Sequence, residues 1–357
     1  MIKALKEMNW KRLFSIRQDE VSGLDIGSSS VKMVQLHKNG AGWTVVAAGA
    51  VDIAGADEDD DNHKEINTVK AIGDCLKLTG IQTKSAVCGV CGPETAVRYF
   101  EFPVLPQNEI DGAVRLEAEQ VCPFGIDQSA VDYQLIPNRA DSISGILVAA
   151  TNKLLERKSQ LAKGACLNDV ITDVDGLALL NCFSECGARQ AGRTTAILDV
   201  GGSYTNLAIM DDNDLPFIRD IVYGGDDIIN RIAADNYISK ETVRGNLFGN
   251  EVSSEYQLEL GDSLAAACKN LIVEVAETLR YYAAQTKSPP VKEMFLCGGF
   301  SPAKGFAELL DEQLAVDVVP WNPFEKMGCN SATVQDTLRK NGPAMVVAAG
   351  LAMRDTR

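Results

Sequence analysis

Histidine is nearly missing: His37 and His63 are the only two in 357 residues. No Ser–His–Asp or Cys–His constellation can be built from them, so nucleophilic hydrolysis of that kind falls away. A Walker A sequence and a GxGxxG fingerprint are absent as well, which removes two common phosphate-binding loops. No apolar run is long enough to cross a bilayer and no signal-peptide core follows Met1, so a reducing cytosolic setting is expected. Cations are scarce, with 34 Lys and Arg against 49 Asp and Glu and a net charge of −15. No nucleic acid is expected as a partner, because phosphate backbones are gripped by clustered Lys and Arg.

Ten cysteines are present, and in a reducing setting they are expected as buried thiols rather than as a disulfide framework. Cys88 and Cys91 have CxxC spacing but sit on a strand-like run, where residues three apart point to opposite faces. Cys182 and Cys186 are one helical turn apart, yet a zinc site made from all four would have no standard spacing. Against the acidic background, residues 1–19 stand out: Lys3, Lys6, Lys11, Arg12 and Arg17 surround Leu5, Trp10, Leu13 and Phe14. Such a leader suits either peripheral contact with an anionic membrane face or a partly disordered lead-in. The acidic run 57–61 fails as a calcium loop, since Asn62 stands at the glycine position and Thr68 where a Glu should close it.

The chain is organised around residues 21–36, VSGLDIGSSSVKMVQL. An apolar run reaches Asp25, breaks at Gly27 and three serines, and resumes in alternation, predicting two antiparallel strands about a tight turn. Residues 195–210, TAILDVGGSYTNLAIM, repeat the pattern with Asp199 for Asp25 and Gly201 for Gly27. Each turn offers backbone N–H groups and hydroxyls as a nest for phosphate oxygens. Each needs glycine so that an anion can reach the main chain. The two acids would hold a hydrated Mg²⁺ that neutralises the phosphates. Two such turns facing each other would grip a nucleoside triphosphate. Gly298 and Gly299, between a strand and a helix, give a third wall against which a flat base or ribose can lie. Lys32 is within reach of a phosphate, and Asp175 opens the helix that would floor the cleft.

Periodicity supplies the remaining elements. Strands are predicted over 43–53, 85–91, 97–102 (as partner of 85–91), 131–136, 145–150, 169–174 and 291–297. Helices are predicted over 65–79 with Ile66, Val69, Ile72, Cys75 and Leu76 inward, within 106–124 from the cap Asn108 to a stop before Pro123, and over 153–164, 175–187, 228–237, 262–286, 303–313 and 344–353. The implied division is a leader to 20, a first-lobe core over 21–102, an insert over 103–168 and a return over 169–194. A second lobe follows over 195–238 and 263–340 with a small cap over 239–262, and a helix in 341–357 docks back on the first lobe.

Two D-x-G hairpins and a GG turn in that order resemble the actin-like ATPase superfamily of actin, Hsp70, sugar kinases and FtsA. Within it, LDIGSSSVKMVQL, VRLEAEQVCPFGIDQSAVDYQL and the ending AAGLAMR resemble the PilM family of type IV pilus assembly proteins, over residues 20–357. The resemblance implies an α/β, ribonuclease H-like fold of two lobes with duplicated mixed sheets and an inserted small α/β subdomain of the FtsA and PilM type. It implies ATP and Mg²⁺ as cofactors. Asp25, Gly27, Ser28, Ser29, Ser30 and Lys32 fall on the first phosphate motif, Asp199, Gly201, Gly202, Ser203 and Thr205 on the second, and Gly298 and Gly299 on the adenosine motif. Phe300 and Tyr204 are bulkier than the family pattern, and a ring at 300 would narrow the adenine pocket. It further implies a groove of the first lobe, involving residues 109–124, that holds the cytoplasmic N-terminal peptide of a PilN-like membrane protein. Asp25, Asp175 and Asp199 are the only candidates for catalysis, so any ATP hydrolysis would be slow. A small-molecule kinase on the same fold and a self-associating, ATP-dependent filament former are the competing readings.

Overall fold

The computed structural model describes residues 21–40, 42–55, 60–136, 142–187, 192–211, 215–249, 260–285, 289–329 and 331–354. The basic leader and most of the acidic run lie outside the described residues.

Strands β1 (Val21–Ile26), β2 (Ser30–Asn39) and β3 (Gly42–Asp52) form an antiparallel meander. Helix α1 (Asp61–Thr79) starts four residues earlier than its apolar pattern predicts. Asp60, from the acidic run, caps it by accepting from the N–H groups of Asn62 and His63, and an acid there also suits the helix dipole. The inward face differs too: Thr68, Ala71, Ile72 and Cys75 are buried, whereas Ile66 is 64% exposed. Strand β4 (Ser85–Val90) then joins β1 in parallel.

Strand β5 (Thr95–Pro103) is not the partner of β4. It leaves the first sheet for a separate three-stranded one, bounded by α2 (Gln107–Val121) and made with β6 (Ser129–Leu135) and β7 (Ser142–Thr151) in the order β5-β7-β6. The three-stranded sheet thus takes in the chain from Thr95 onward. Its core is Phe100, Ile110, Val114, Ala118, Ile126, Leu147 and Ala149. Asn108 does not cap α2; Pro106 stands at the N-cap without a side-chain bond, and its fixed φ starts the helix instead. Helix α3 (Asn152–Gly164) leads out, β8 (Asp169–Val174) returns beside β4, and α4 (Asp175–Cys186) follows.

The second lobe repeats the plan with β9 (Thr195–Val200), β10 (Thr205–Met210) and β11 (Pro216–Ile221) as the meander. Helices α5 (Gly225–Asn236), α6 (Lys240–Phe248) and α7 (Leu260–Gln285) come next. They are followed by β12 (Glu293–Cys297), α8 (Phe306–Gln313) and β13 (Asp317–Pro320). Sheet orders are β3-β2-β1-β4-β8 in the first lobe and β11-β10-β9-β12-β13 in the second, the same layout twice. The first sheet gains one further edge strand, β14 (Gly328–Cys329), parallel to β3. The chain is therefore back on the first lobe before residue 341. Helix α9 (Ala332–Asn341) lies against β3, and α10 (Val346–Ala352) lies on α4 and β1.

That last docking is close enough to need glycine. A Cβ on Gly23 would stand 1.8 Å from the Ala348 carbonyl oxygen, and one on Gly350 1.9 Å from that of Ala178. Arg354 then pins the chain end to Asp173 at 2.7 Å. Gly350→Ala should cost about 3 kcal/mol or more, since the obstructing atoms are backbone. In contrast, Gly112 on α2 has nothing within 4 Å of a built Cβ, and Gly112→Ala should gain up to about 1 kcal/mol. Urea midpoints of the two variants should move in opposite directions.

Candidate functional site

Both turns close in the same way. Gly27 N–H donates to Ser30 O and Gly201 N–H to Tyr204 O, each at 3.0 Å. Their tips face each other: a Cβ on Gly202 would lie 2.3 Å from Ser28 Oγ. Ser28 Oγ also stands 3.5 Å from Asp226 Oδ2, at the start of α5, and Asp226 is paired with Arg244 of α6 at 3.0 Å. At this mouth lies a cavity of about 330 Å³, lined by Ser28, Lys64, Ser203, Tyr204, Asp226 and Asn230 among others.

Behind the turns, the strand register sets the charges. Asp25 is directly opposite Lys32, and Asp199 directly opposite Asn206. Both pairs repeat at the hairpin offset, since 199 − 25 and 206 − 32 are both 174. Lys32 Nζ is 3.1 Å from Asp25 Oδ2, and Asn206 Nδ2 donates to Asp199 Oδ2 at 3.4 Å. Burial pushes Asp199 up to about 6, with repulsion from Asp25 second, against Lys32, Asn206 and the Cys297 thiol pulling down. Asp175 is pushed up to about 7 by burial and then by Asp25. One of its oxygens, Oδ1, has no hydrogen-bond partner. Burial opposes the charge on Lys32, but Asp25, with Asp199 and Asp175 behind it, offsets this and holds the ammonium above its ordinary value.

The third wall is also built for close approach. Gly298 has φ +98°, and a Cβ there would meet the Val200 backbone at 2.4 Å, so only glycine suits the position. Gly299 fronts open space, with no atom of a non-neighbouring residue within 4 Å of a built Cβ. Phe300 is buried, edge-on to Phe248 and Phe306 at 5.7 and 4.9 Å and laid over Gly225. The ring thus serves the second-lobe core. Thr205 is engaged behind its turn: fully buried, it donates to Tyr223 O at 2.8 Å. Tyr204 has its ring against Gly92.

The structure brings Asp25, Asp175, Asp199, Lys32 and both glycine turns to one cleft. It adds residues that periodicity did not single out. Lys158 of α3 donates to Ile26 O at 2.7 Å, and Asp220 of β11 lies next to Asn206 in register. Asn206 could have been found by adding 174 to Lys32; Lys158 and Asp220 carry no local signal.

These residues fit a polyphosphate with a divalent cation. Three buried or nearly buried carboxylates face two ammoniums, those of Lys32 and Lys158, one buried carboxylate oxygen has no hydrogen-bond partner, and the turns leave little room for a Cβ. Among the described residues no three His, Cys, Asp or Glu side chains stand close enough to ligate one ion. A Mg²⁺ ion would therefore depend on phosphate oxygens and water for most of its shell, as its coordination habits favour.

A family model described as Type IV pilus assembly protein PilM matches residues 23–356. Among solved structures, the chain is similar to one described as the PilM-PilN type IV pilus biogenesis complex, at 25% identity and a TM-score of 0.78, covering 95% of this chain and 99% of that one. It is also similar to ethanolamine utilization protein EutJ from Carboxydothermus hydrogenoformans (14% identity, TM-score 0.53, 93% and 88% covered). A diol dehydratase-reactivating factor in nucleotide-free form is similar as well (10%, 0.54, 93% and 98%). The last two likenesses concern the fold alone. The fold is the actin-like ATPase fold.

Because the folded-state values of Asp175 and Asp199, about 7 and about 6, exceed the ordinary 3.8, the native state binds more protons than the unfolded one between these limits. Stability should fall as pH rises from about 4 to about 7. Asp175→Asn should match wild type near pH 4 and be more stable by on the order of 4 kcal/mol at pH 8. Calorimetric melting temperatures across that range measure the divergence.

Proposed function

The chain belongs to the type IV pilus assembly protein PilM family, and from that premise we propose that it is a nucleotide-binding scaffold of a pilus inner-membrane complex. The observation that carries the scaffold reading is the end-to-end likeness, at a TM-score of 0.78, to a PilM-PilN complex. A small-molecule kinase and a filament former are not favoured beside it.

The proposed cofactor is ATP with Mg²⁺. Gly27, Ser28, Ser29 and Ser30 would cradle it from the first lobe, and Gly201, Gly202 and Ser203 from the second. Lys32 would meet a phosphate, Gly298 and Gly299 the adenosine, and Asp25 and Asp199 the hydrated cation. Mg²⁺ supplies the positive charge that the carboxylates and phosphates jointly need. Asp175 is the further candidate for orienting water there, and its orphaned oxygen lies buried against Gly89.

The proposed client is the N-terminal cytoplasmic peptide of a PilN-like membrane protein, held on the small subdomain. Support comes from an apolar depression of about 540 Å³ along α2, lined by Leu105, Gly112, Ala113 and Leu116 with Glu109 and Arg115 beside them. Leu116 and Val104 are 61% and 63% exposed, more than side chains of this size need, and a short amphipathic peptide can cover such a surface. Among the described residues no helix is long and apolar enough to cross a membrane. We place the chain at the inner face of the inner membrane through its partner.

Two measurements separate the halves of this reading. Asp25→Ala and Asp199→Ala should each weaken Mg²⁺–ATP binding by about tenfold or more in calorimetry, the expected effect of removing one charge-assisted interaction. Leu116→Arg should weaken binding of the partner's N-terminal peptide about tenfold while leaving ATP affinity alone. Wild-type peptide affinity in Leu116→Arg would remove α2 from the interface.

A further inference from the structure

One carboxylate at the mouth of the cleft has no part in the binding just described. Helix α5 is seated on the second turn by its main chain, with Gly225 N–H donating to Gly201 O at 2.8 Å and Asp226 N–H to Gly202 O at 2.9 Å. The seat has no slack, since a Cβ on Gly224 would lie 2.2 Å from Gly202 O. Two acids stand in the first turn of α5, and they are used differently. Asp227 accepts from Gly224 N–H at 2.9 Å and closes the helix end. Asp226 instead reaches across the cleft. Its Oδ2 is 3.5 Å from Ser28 Oγ on the first turn, and its Oδ1 accepts from Arg244 Nη2 of α6 at 3.0 Å. A Cβ on Gly202 would meet Ser28 Oγ and Asp226 Oδ2 at 2.3 and 2.6 Å, so hydroxyl, bare backbone and carboxylate converge on one point. The carboxylate side chain is 24% exposed and the guanidinium 40%. Both acids of α5 line the cavity of about 330 Å³ together with Ser28, Ser203 and Lys64.

We propose that Asp226 is a specificity-determining residue: it stands in for a phosphate group, holding Ser28 and Arg244 until the polyphosphate of a nucleotide takes both from it. This rests on the reading above that the cleft takes ATP with Mg²⁺, and it deepens that reading. The partners of Asp226 are those a phosphate chooses, a serine hydroxyl on a glycine turn and a planar guanidinium. Ser28 has a single hydroxyl proton to donate, so it serves Asp226 or a phosphate oxygen but not both. Asp226 cannot retreat as a whole, because its main chain is bonded to Gly202 O; only its side chain can swing aside. An anion arriving at Ser28 therefore meets a like charge at close range, at a cost that grows with the charge it carries. A divalent cation riding on the phosphates lowers that charge. The stand-in consequently favours the Mg²⁺ complex over free ATP. Arg244 keeps a charged partner throughout, first the carboxylate and then the phosphate.

The test uses the full chain and calorimetric titration with a non-hydrolysable ATP analogue, with and without Mg²⁺, and with adenosine as the uncharged probe. Asp226→Asn keeps the shape of the side chain and removes its charge. It should tighten analogue binding about fivefold with Mg²⁺ and by a larger factor without it. Adenosine affinity should stay within about twofold of wild type. Raising the salt concentration should shrink the gain. Arg244→Met should weaken analogue binding about threefold or more in wild type and again in the Asp226→Asn background. A guanidinium that served only Asp226 would have no effect in the second background, and that result would overturn the proposal. Equal or weaker analogue binding by Asp226→Asn, or a gain of the same size for adenosine, would overturn it as well and leave the ATP reading in place. Where Arg244→Met fails to fold, Asp226→Asn with its Mg²⁺ and adenosine arms decides alone. If neither wild type nor Asp226→Asn binds the analogue, the ATP reading falls and takes this proposal with it.

Discussion

Asp25, Asp175 and Asp199 are gathered about two ammoniums, Lys32 paired with Asp25 and Lys158 acting on Asp175, in a place largely closed to water, and this shortage of positive charge governs the cleft. Asp175 shows how strong the constraint is. It opens α4, where the helix dipole favours a negative charge by at most about 2 kcal/mol. A shift from 3.8 to about 7 corresponds to roughly 4 kcal/mol the other way. Burial and the neighbouring Asp25 therefore win. The chain answers with whatever donors are at hand: one ion pair at 3.1 Å, the Asn206 amide, and the thiols of Cys91 and Cys297. With Lys158 acting on Asp175 from a distance, two ammoniums still face three carboxylates, and a cation arriving with a polyphosphate would offset the remainder, which suits half of a binding site better than a structural ion-pair network.

The duplication makes the two lobes alike in layout and unlike in charge. The position opposite the turn acid is Lys32 in the first lobe and Asn206 in the second. An ammonium relieves Asp25 and still attracts an anion, whereas the amide only steadies Asp199. The first lobe is thus the natural seat of phosphate charge, and the second lobe supplies geometry: the positive φ of Gly298, the open front of Gly299 and the tight turn at Gly201. Phe300 belongs to that supporting work, because its ring fixes Gly225 and the start of α5 beneath the second turn.

Much of this was legible in the sequence because its signals are local. Apolar runs broken by glycine locate both hairpins, and the bounds of β8 follow from an alternating run, DVITDV, that meets a helix at Asp175. What could not be read is non-local. Residues 97–102 alternate as a strand should, but the choice of β7 over β4 as partner depends on a segment some fifty residues later. The start of α1 was hidden in an acidic run that reads as a solvated loop until Asp60 is seen to cap it. Ile66 was assigned inward by period, although the helix turns the Thr68–Ala71–Ile72–Cys75 stripe to the sheet. Lys158 and Asp220 act through the carbonyl or amide of a distant residue, and nothing in their own neighbourhoods announces that.

The two lobes are joined in different ways at the back and at the front of the cleft. At the back one continuous apolar core draws on both, and Phe183, Phe295 and Trp321 meet there with ring centroids 5.0 to 6.0 Å apart. Helix α4 adds a close crossing to the second lobe, since a Cβ on Gly176 would stand 2.4 Å from the Ile218 side chain of β11. At the front the lobes meet through Ser28, Gly202, Asp226 and Tyr204, a set of hydroxyls, bare backbone and one carboxylate. Exposing an apolar surface to water is costly in proportion to its area, while polar groups at a rim exchange partners with water at little net cost. Relative movement of the lobes will therefore be smallest at this apolar seam and largest between the turns. The three-stranded subdomain is attached beside the turns rather than the seam, at the place where any such movement has its greatest amplitude.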